Sequence, residues 1–469
     1  MTPKEQWHEL KDVIRLEKGR VQVLDEARLR GPVTDALVYA AVFGEGEERA
    51  TARALLWELG QALGIRPASI HDLYMARGRG ETSTNWTVPA MNLRTLTYDM
   101  ARAVFRAALA RNVGAMILEI ARSEIGYTDQ RPAEYATVII GAAIREGYRG
   151  PLFLQGDHFQ VSAKKYASTP DAEVGAVENL IREAIAAGFF NIDIDTSTLV
   201  DLSQPTISEQ QRTNYEVCAH FTRLIRSLQP EGVTISVGGE IGEVGGHNTT
   251  EEELRAFMDG YNRSLPSGMP GVSKLSIQTG TSHGGVVLPD GTLARVKIDF
   301  DTLERLSRVA REEYGLAGAV QHGASTLPPE AFHKFPEVGT AEIHLATAFQ
   351  NLLYDHPLFP AALREEIYAY LRKEHAADWK EGKTEEQFLY EARKKALGPF
   401  KRGLWNLPEE IRATIGQELE VQFGFLFEQL GVTDTADMVA RYIRPPEIHK
   451  TPADFGAEKA LSISEGLAD

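Results

Sequence analysis

Three segments of this 469-residue chain place a histidine directly after an apolar run: QGDHFQ (Gln155–Gln160), TGTSHGG (Thr279–Gly285) and QHGAST (Gln321–Thr326). Imidazole nitrogen is a good ligand for zinc and similar divalent ions, and three protein ligands with an open position make a catalytic metal site. His158, His283 and His322 are therefore the candidate metal ligands. One such histidine alone reads as a strand-end residue bonded to nearby backbone. Three together, each beside glycine or aspartate, point to a metal. Cys218 is the only cysteine. It excludes an internal disulfide framework and a thiolate cluster, so a metal here must rest on histidine and carboxylate.

Carboxylates accompany the histidines. Asp157 precedes His158. On an extended backbone it would point away from its neighbour, but in a strand-end turn it enters the site and can move a proton to or from a substrate hydroxyl. The competing role is a cap on the following helix. Glu240 and Glu243 lie in GGEIGEVGG, whose glycines let a loop approach a ligand closely; either is a candidate second carboxylate, as is one of Glu251–Glu253 on the adjoining loop. The string does not fit the G-x-G-x-x-G dinucleotide pattern. Gly284, Gly323 and Ser325 follow the proposed ligands and Thr347 follows the last apolar run. Their N–H groups and hydroxyls suit a cradle for an anion or a hydroxyl, with tight turns as the competing reading. RGRGETS (Arg77–Ser83) reads as a solvated linker.

What positions these residues is a repeated alternation. Apolar runs fall at Thr87–Asn92, Ala115–Ile120, Pro151–Gln155, Phe190–Asp195, Val233–Gly239, Lys274–Thr279, Gly318–His322 and Ala341–Ala346, separated by helical stretches. Two such helices are expected over Pro132–Glu146 and Ala172–Ala187, ending at Gly147 and Gly188. Eight buried strands alternating with helices predict a parallel sheet closed into a (β/α)₈ TIM barrel, of class α/β; an open doubly wound sheet is the alternative. In a barrel the strand ends converge on one face. Asn92, Ser123, Asp157, His158, Asp195, Glu240, His283, His322 and His344 would meet there. Residues 87–355 form the expected catalytic barrel, flanked by helical segments over 1–86 and 356–469. The residues from Thr451 onward are expected to be loosely held.

The net charge of −16 argues against a general nucleic-acid binder. No apolar stretch approaches the roughly 20 residues of a membrane span, and the polar start lacks the apolar core of a secretory signal. A cytoplasmic enzyme with a small-molecule substrate is expected, with a homodimer as the default assembly.

The ordered set of motifs resembles the class II, metal-dependent ketose-bisphosphate aldolases. VPAMN resembles that family's first strand, and MILEIARSE its second, with Ser123 at a substrate-facing serine. GDH is similar to the family's pair of proton-transferring aspartate and zinc-binding histidine. EIGEVGG is similar to its glutamate and double-glycine segment, GTSHGG and QHGAS to the segments with the other zinc histidines, and EIHLATAFQ to its last strand. The resemblance implies a divalent ion, foremost Zn²⁺ with Mn²⁺, Co²⁺ or Ni²⁺ as alternatives. It implies reversible cleavage of a ketose C3–C4 bond, with Asp157 taking the C4 hydroxyl proton. It also implies substrate contacts from Asn92, Ser123, Gly284, Gly323, Ser325, His344 and Thr347. Two departures stand out: HGGVVLPDG lacks the family's tyrosine and lysine near a phosphate, and His344 replaces an asparagine. Both weaken the case for a bisphosphate in the usual pose; loss of the lysine, with extra helices enclosing the mouth, favours an unphosphorylated sugar and with it a ketose 4-epimerase that re-adds the retained aldehyde on its other face. A non-catalytic carbohydrate-binding or aldolase-stabilising subunit is the reading from another class.

Overall fold

The structure, a computed structural model, describes residues 10, 12–17, 20–242, 246–280, 288–289 and 298–456. Glu243, His283 and Gly284 lie outside the described residues. Each apolar run contributes a strand: β1 (Val88–Asn92), β2 (Ile117–Ala121), β3 (Gly150–Gln160), β4 (Asn191–Asp195), β5 (Ser236–Glu240), β6 (Lys274–Ile277), β7 (Ala319–Gln321) and β8 (Glu342–Leu345). All neighbouring pairs are parallel, from β4 through β5, β6, β7, β8, β1 and β2 to β3. Pairing of β3 with β4 (Gln155↔Asn191, Gly156↔Ile192) then closes the ring. The fold is a (β/α)₈ barrel, and that closing pair excludes the open sheet. A short strand, Ile65–Pro67, adds in parallel to the start of β3.

Helices pack around the ring. They include α1 (Thr34–Phe43), α2 (Gly46–Leu63), α3 (Thr97–Leu109), α4 (Arg122–Tyr127), α5 (Pro132–Glu146) and α6 (Pro170–Ala186). Further on come α7 (Thr347–Tyr354), α8 (Glu385–Ala392) and α9 (Glu409–Gln429). α5 begins on Pro132 and stops where Gly147 adopts φ +76°, as the sequence predicts. α6 starts earlier than its apolar periodicity suggests, because Pro170 is already in its first turn. Of the segment expected to be loose, the described part Thr451–Gly456 is held: Phe455 is buried, with its ring centroid 6.4 Å from that of Trp57, and the residues beyond Gly456 lie outside the described ones. Among the described residues no helix is long and apolar enough to cross a membrane.

The barrel interior holds an uncommon layer. One residue from each even-numbered strand (Glu119, Asp193, Lys274 and Glu342) points into it, and Glu119 and Glu342 are fully buried. Such layers of four ordinarily carry branched aliphatic side chains. Lys274 Nζ donates to Glu342 Oε1 (2.5 Å), Asp193 Oδ2 (2.9 Å) and Gln155 Oε1 (2.8 Å). Gln155 Nε2 donates in turn to Glu119 Oε2 and Glu342 Oε1, both at 2.8 Å, and Tyr74 OH to Glu342 Oε2 at 2.5 Å. Buried charge is tolerated only when paired and hydrogen-bonded, and each member here is.

Candidate active site

The site lies directly above that layer, at the C-terminal ends of the strands. It begins with an irregularity in β3: the register with β4 shifts between Gly156 and Phe159, and His158 adopts φ +40°. A β-bulge of this kind re-aims side chains that strict alternation would send to opposite faces. Asp157 and His158 therefore both turn into the mouth, and both are buried. Gly156 is needed below them, because a Cβ there would meet the Phe159 ring at 2.4 Å.

His322 follows β7. Its Nδ1 hydrogen-bonds Ser276 Oγ (2.7 Å), which leaves Nε2 facing Asp157 Oδ1 at 3.4 Å. Gly323 adopts φ +69° directly after it, a left-handed turn that suits glycine. The His158 and His322 rings lie 4.2 Å apart, and those of His322 and His344 4.0 Å apart. His344 Nδ1 is 3.0 Å from Glu119 Oε1 and 3.3 Å from Asp157 Oδ1, while its Nε2 is 2.9 Å from Glu342 Oε1. It thus links the charged layer to Asp157.

Behind His158, Nδ1 lies 3.2 Å from both Asp195 Oδ2 and Glu240 Oε2. Asp195 also accepts from Gln160 Nε2 (2.6 Å) and from the backbone N and Oγ of Ser197 (3.1 and 2.7 Å). Burial pushes Asp195 up, but His158 and these donors outweigh it and bring it down to about 2. Burial and the Asp195 charge push Glu240 up to about 7. Burial opposes the charge on Asp157 too, yet His158 and His344 hold its carboxyl well below the usual range. Burial and the charges of His344 and His158 keep His322 neutral, well below its ordinary value.

The remaining predicted residues lie at strand ends or in the segments that follow them. Asn92, the last residue of β1, donates to Glu124 Oε2 (2.5 Å). Ser123 is in the first turn of α4, partly buried. Ser325 Oγ accepts from Ala346 N (2.5 Å), tying the β7 loop to the end of β8, and Thr347 opens α7. The site so described brings together Asp157, His158, His322, His344 and Glu240.

A divalent ion fits this donor set. One nitrogen each from His158 and His322 and one oxygen from Asp157 all lie within 4.8 Å of one another. The two imidazole nitrogens suit zinc and its neighbours, and the Asp157 carboxylate stands beside them, where a base is wanted.

The profile of the family Fructose-bisphosphate aldolase class-II matches residues 81–397. The chain belongs to this family. Among solved structures, the fructuronate-tagaturonate epimerase UxaE from Cohnella laeviribosi superposes with a TM-score of 0.54 at 12% identity, over 75% of this chain and 82% of that one. A protein described as a probable tagatose 6 phosphate kinase, from Sinorhizobium meliloti 1021, gives 0.52 at 18% identity, over 75% and 100%. The fructose-bisphosphate aldolase of Campylobacter jejuni gives 0.46 at 16%, over 79% and 98%. At these identities the likeness shows the barrel and nothing finer. No curated protein matches this chain.

Within this aldolase-family chain, sequence reasoning passed over Glu119, Asp193, Lys274 and Glu342. The signal was present: each is a charged residue inside an otherwise apolar strand, as in ILEIA and NIDID. Asp195 was visible as a strand-end residue, without its contact to His158.

Proposed function

We propose that the chain catalyses reversible retro-aldol chemistry at C3–C4 of a ketose, with a divalent ion held by His158, His322 and His283. The observation that carries this reading is the convergence of Asp157 Oδ1 with His322 Nε2 (3.4 Å) and His344 Nδ1 (3.3 Å) at the barrel mouth. Bound there, a divalent ion supplies Lewis acidity to the ketose oxygens. Asp157 takes the proton of the C4 hydroxyl. The oxygen's electrons form the C4 carbonyl, the C3–C4 bond breaks, and its electron pair passes to C3 and into conjugation with C2. Glu240 then returns a proton to the three-carbon fragment, a role that suits a carboxyl titrating near neutrality. Asp195 steadies the His158 ring, and His344 orients Asp157. Asn92, Ser123, Gly323, Ser325 and Thr347, with Gly284, hold the sugar. Residues 87–355 carry this chemistry in a cytoplasmic homodimer, the flanking segments being additions to it.

A second reading is ketose C4 epimerisation, in which the aldehyde stays bound, rotates and is re-attacked on its other face. What supports it is the loss of the family's tyrosine and lysine from HGGVVLPDG, which favours an unphosphorylated sugar that stays bound; one fold neighbour is named as a fructuronate-tagaturonate epimerase. Incubating the protein with fructose, tagatose, their phosphates and their uronate counterparts, and identifying every product, separates the two. Release of a three-carbon fragment supports aldol cleavage; C4 inversion without release supports epimerisation. No conversion of any ketose, with zinc, manganese or cobalt added, overturns both.

A further inference from the structure

Inverting C4 asks more of the mouth than cleaving there. When the freed aldehyde turns its other face to the three-carbon fragment, its oxygen swings away from the group that took its proton. A second proton-carrying group must then stand within reach of that oxygen. Glu240 faces His158 Nδ1 (3.2 Å) and serves the three-carbon fragment. Asp193 stands close to Asp157. One oxygen of each of these carboxylates and a ring nitrogen of His344 all lie within 4.8 Å of one another. His344 flanks both, with Nδ1 3.3 Å from Asp157 Oδ1 and Nε2 3.7 Å from Asp193 Oδ2. An O–H···O bond spans about 2.5–3.0 Å, so an oxygen lying between the two carboxylates can reach either.

Within the charged layer, Asp193 is the member that the mouth reaches. Its side chain is 12% exposed, against 1% for Lys274 and 0% for Glu119 and Glu342. Asn191, two residues earlier on β4, and its partner Gln155 on β3 are fully buried, so the approach is not from below. Lys274 Nζ engages Asp193 Oδ2 (2.9 Å), while Oδ1 has no hydrogen-bond partner among the described residues. Gly238 makes room for that oxygen, since a Cβ there would meet it at 2.3 Å. The ion pair with Lys274 thus accounts for one oxygen of the carboxylate and leaves the other unused. Burial pushes the Asp193 carboxyl up to about 6 although the Lys274 ammonium pulls it down, which suits proton exchange near neutrality.

We infer that Asp193 is the second acid–base group of the site, serving the C4 oxygen in the orientation opposite to the one Asp157 serves. This rests on the C4-inversion reading above, since cleavage without inversion needs Asp157 alone at that oxygen. Asp157 takes the C4 hydroxyl proton, the oxygen's electrons form the carbonyl, and the C3–C4 pair passes to C3. After the aldehyde turns, that pair attacks the other face of C4, the carbonyl electrons return to oxygen, and Asp193 gives the oxygen a proton. Asp157 is left protonated and Asp193 ionised. Water at the mouth, which touches both side chains (7% and 12% exposed), carries the proton back. The opposite epimer runs the same steps with the two roles exchanged.

The test uses the metal-loaded full chain and the ketose pair that wild type interconverts, each epimer supplied separately to wild type, Asp193→Asn and Asp157→Asn. Inversion is followed by NMR, and the freed aldehyde is trapped with hydroxylamine and its oxime identified by mass. Melting curves and metal content are read on the same samples. Asp193→Asn should keep its metal, lose inversion by about a hundredfold or more, and still give the oxime from one epimer only. Asp157→Asn should give it from the other epimer only. Should the asparagine variant fail to fold, Asp193→Glu, which keeps the partner of Lys274, carries the test with an inversion rate roughly tenfold or more below wild type. Inversion near the wild-type rate in the folded variant overturns the proposal and leaves the inversion reading standing. So does oxime lost equally from both epimers, as a merely structural carboxylate would give. A wild type that cleaves ketoses without ever inverting C4 sinks the inversion reading itself, and the assignment of Asp193 with it.

Discussion

Asp195 Oδ2 sits 3.2 Å from His158 Nδ1, on the side of the ring away from Asp157. A carboxylate in that position fixes an imidazole tautomer with Nδ1 protonated and Nε2 open to a ligand. The contact depends on the β3 bulge, which turns His158 towards the end of β4. Removing the charge in Asp195→Asn should weaken metal binding by about 10–100-fold, read by competition with a chelator. Unchanged affinity would mean that Glu240 alone orients the ring.

Gly323 carries the turn that follows His322 at φ +69°. A Cβ there costs roughly 1–2 kcal/mol of backbone strain. Gly323→Ala should lower the denaturant midpoint accordingly and also weaken metal binding, since the His322 ring rides on that turn. A variant as stable as wild type would show that the loop relaxes without cost.

Lys274 is the one ammonium in the charged barrel layer, facing Asp193 and Glu342. Lys274→Met leaves buried carboxylates uncompensated, a loss of about 3–5 kcal/mol at neutral pH. Without the lysine, Asp193 and Glu342 titrate above their unfolded values. The variant's folded state is then favoured at low pH and loses stability as pH rises through the raised values. The stability gap to wild type should therefore be wider at pH 8 than at pH 5. A gap independent of pH would assign the loss to packing alone.

Much of this architecture is legible in the residues. The eight apolar runs became eight strands because each is short, β-branched or aromatic, and closed by a polar residue where a loop must begin. Asp157, His158, His322 and His344 sit at strand ends, and a barrel brings strand ends together whatever their separation in sequence. The bulge in β3 was not legible: QGDHFQ reads equally as a strand end, and only pairing with β4 carries the strand on to Gln160. Nor was Arg77. Its basic, glycine-rich surroundings suggested a solvated linker, yet the side chain is buried and donates to the carbonyl oxygens of Thr84, Gly339 and Thr340.

Whether His158 and His322 hold a divalent ion beside the Asp157 carboxylate is decided by metal content. Elemental mass spectrometry of purified wild type and of His322→Ala, each equilibrated with zinc and then desalted, gives the answer. About one ion per chain is expected in wild type, and a large loss in a variant that still folds. Equal metal in the two proteins, or none in either, would contradict it.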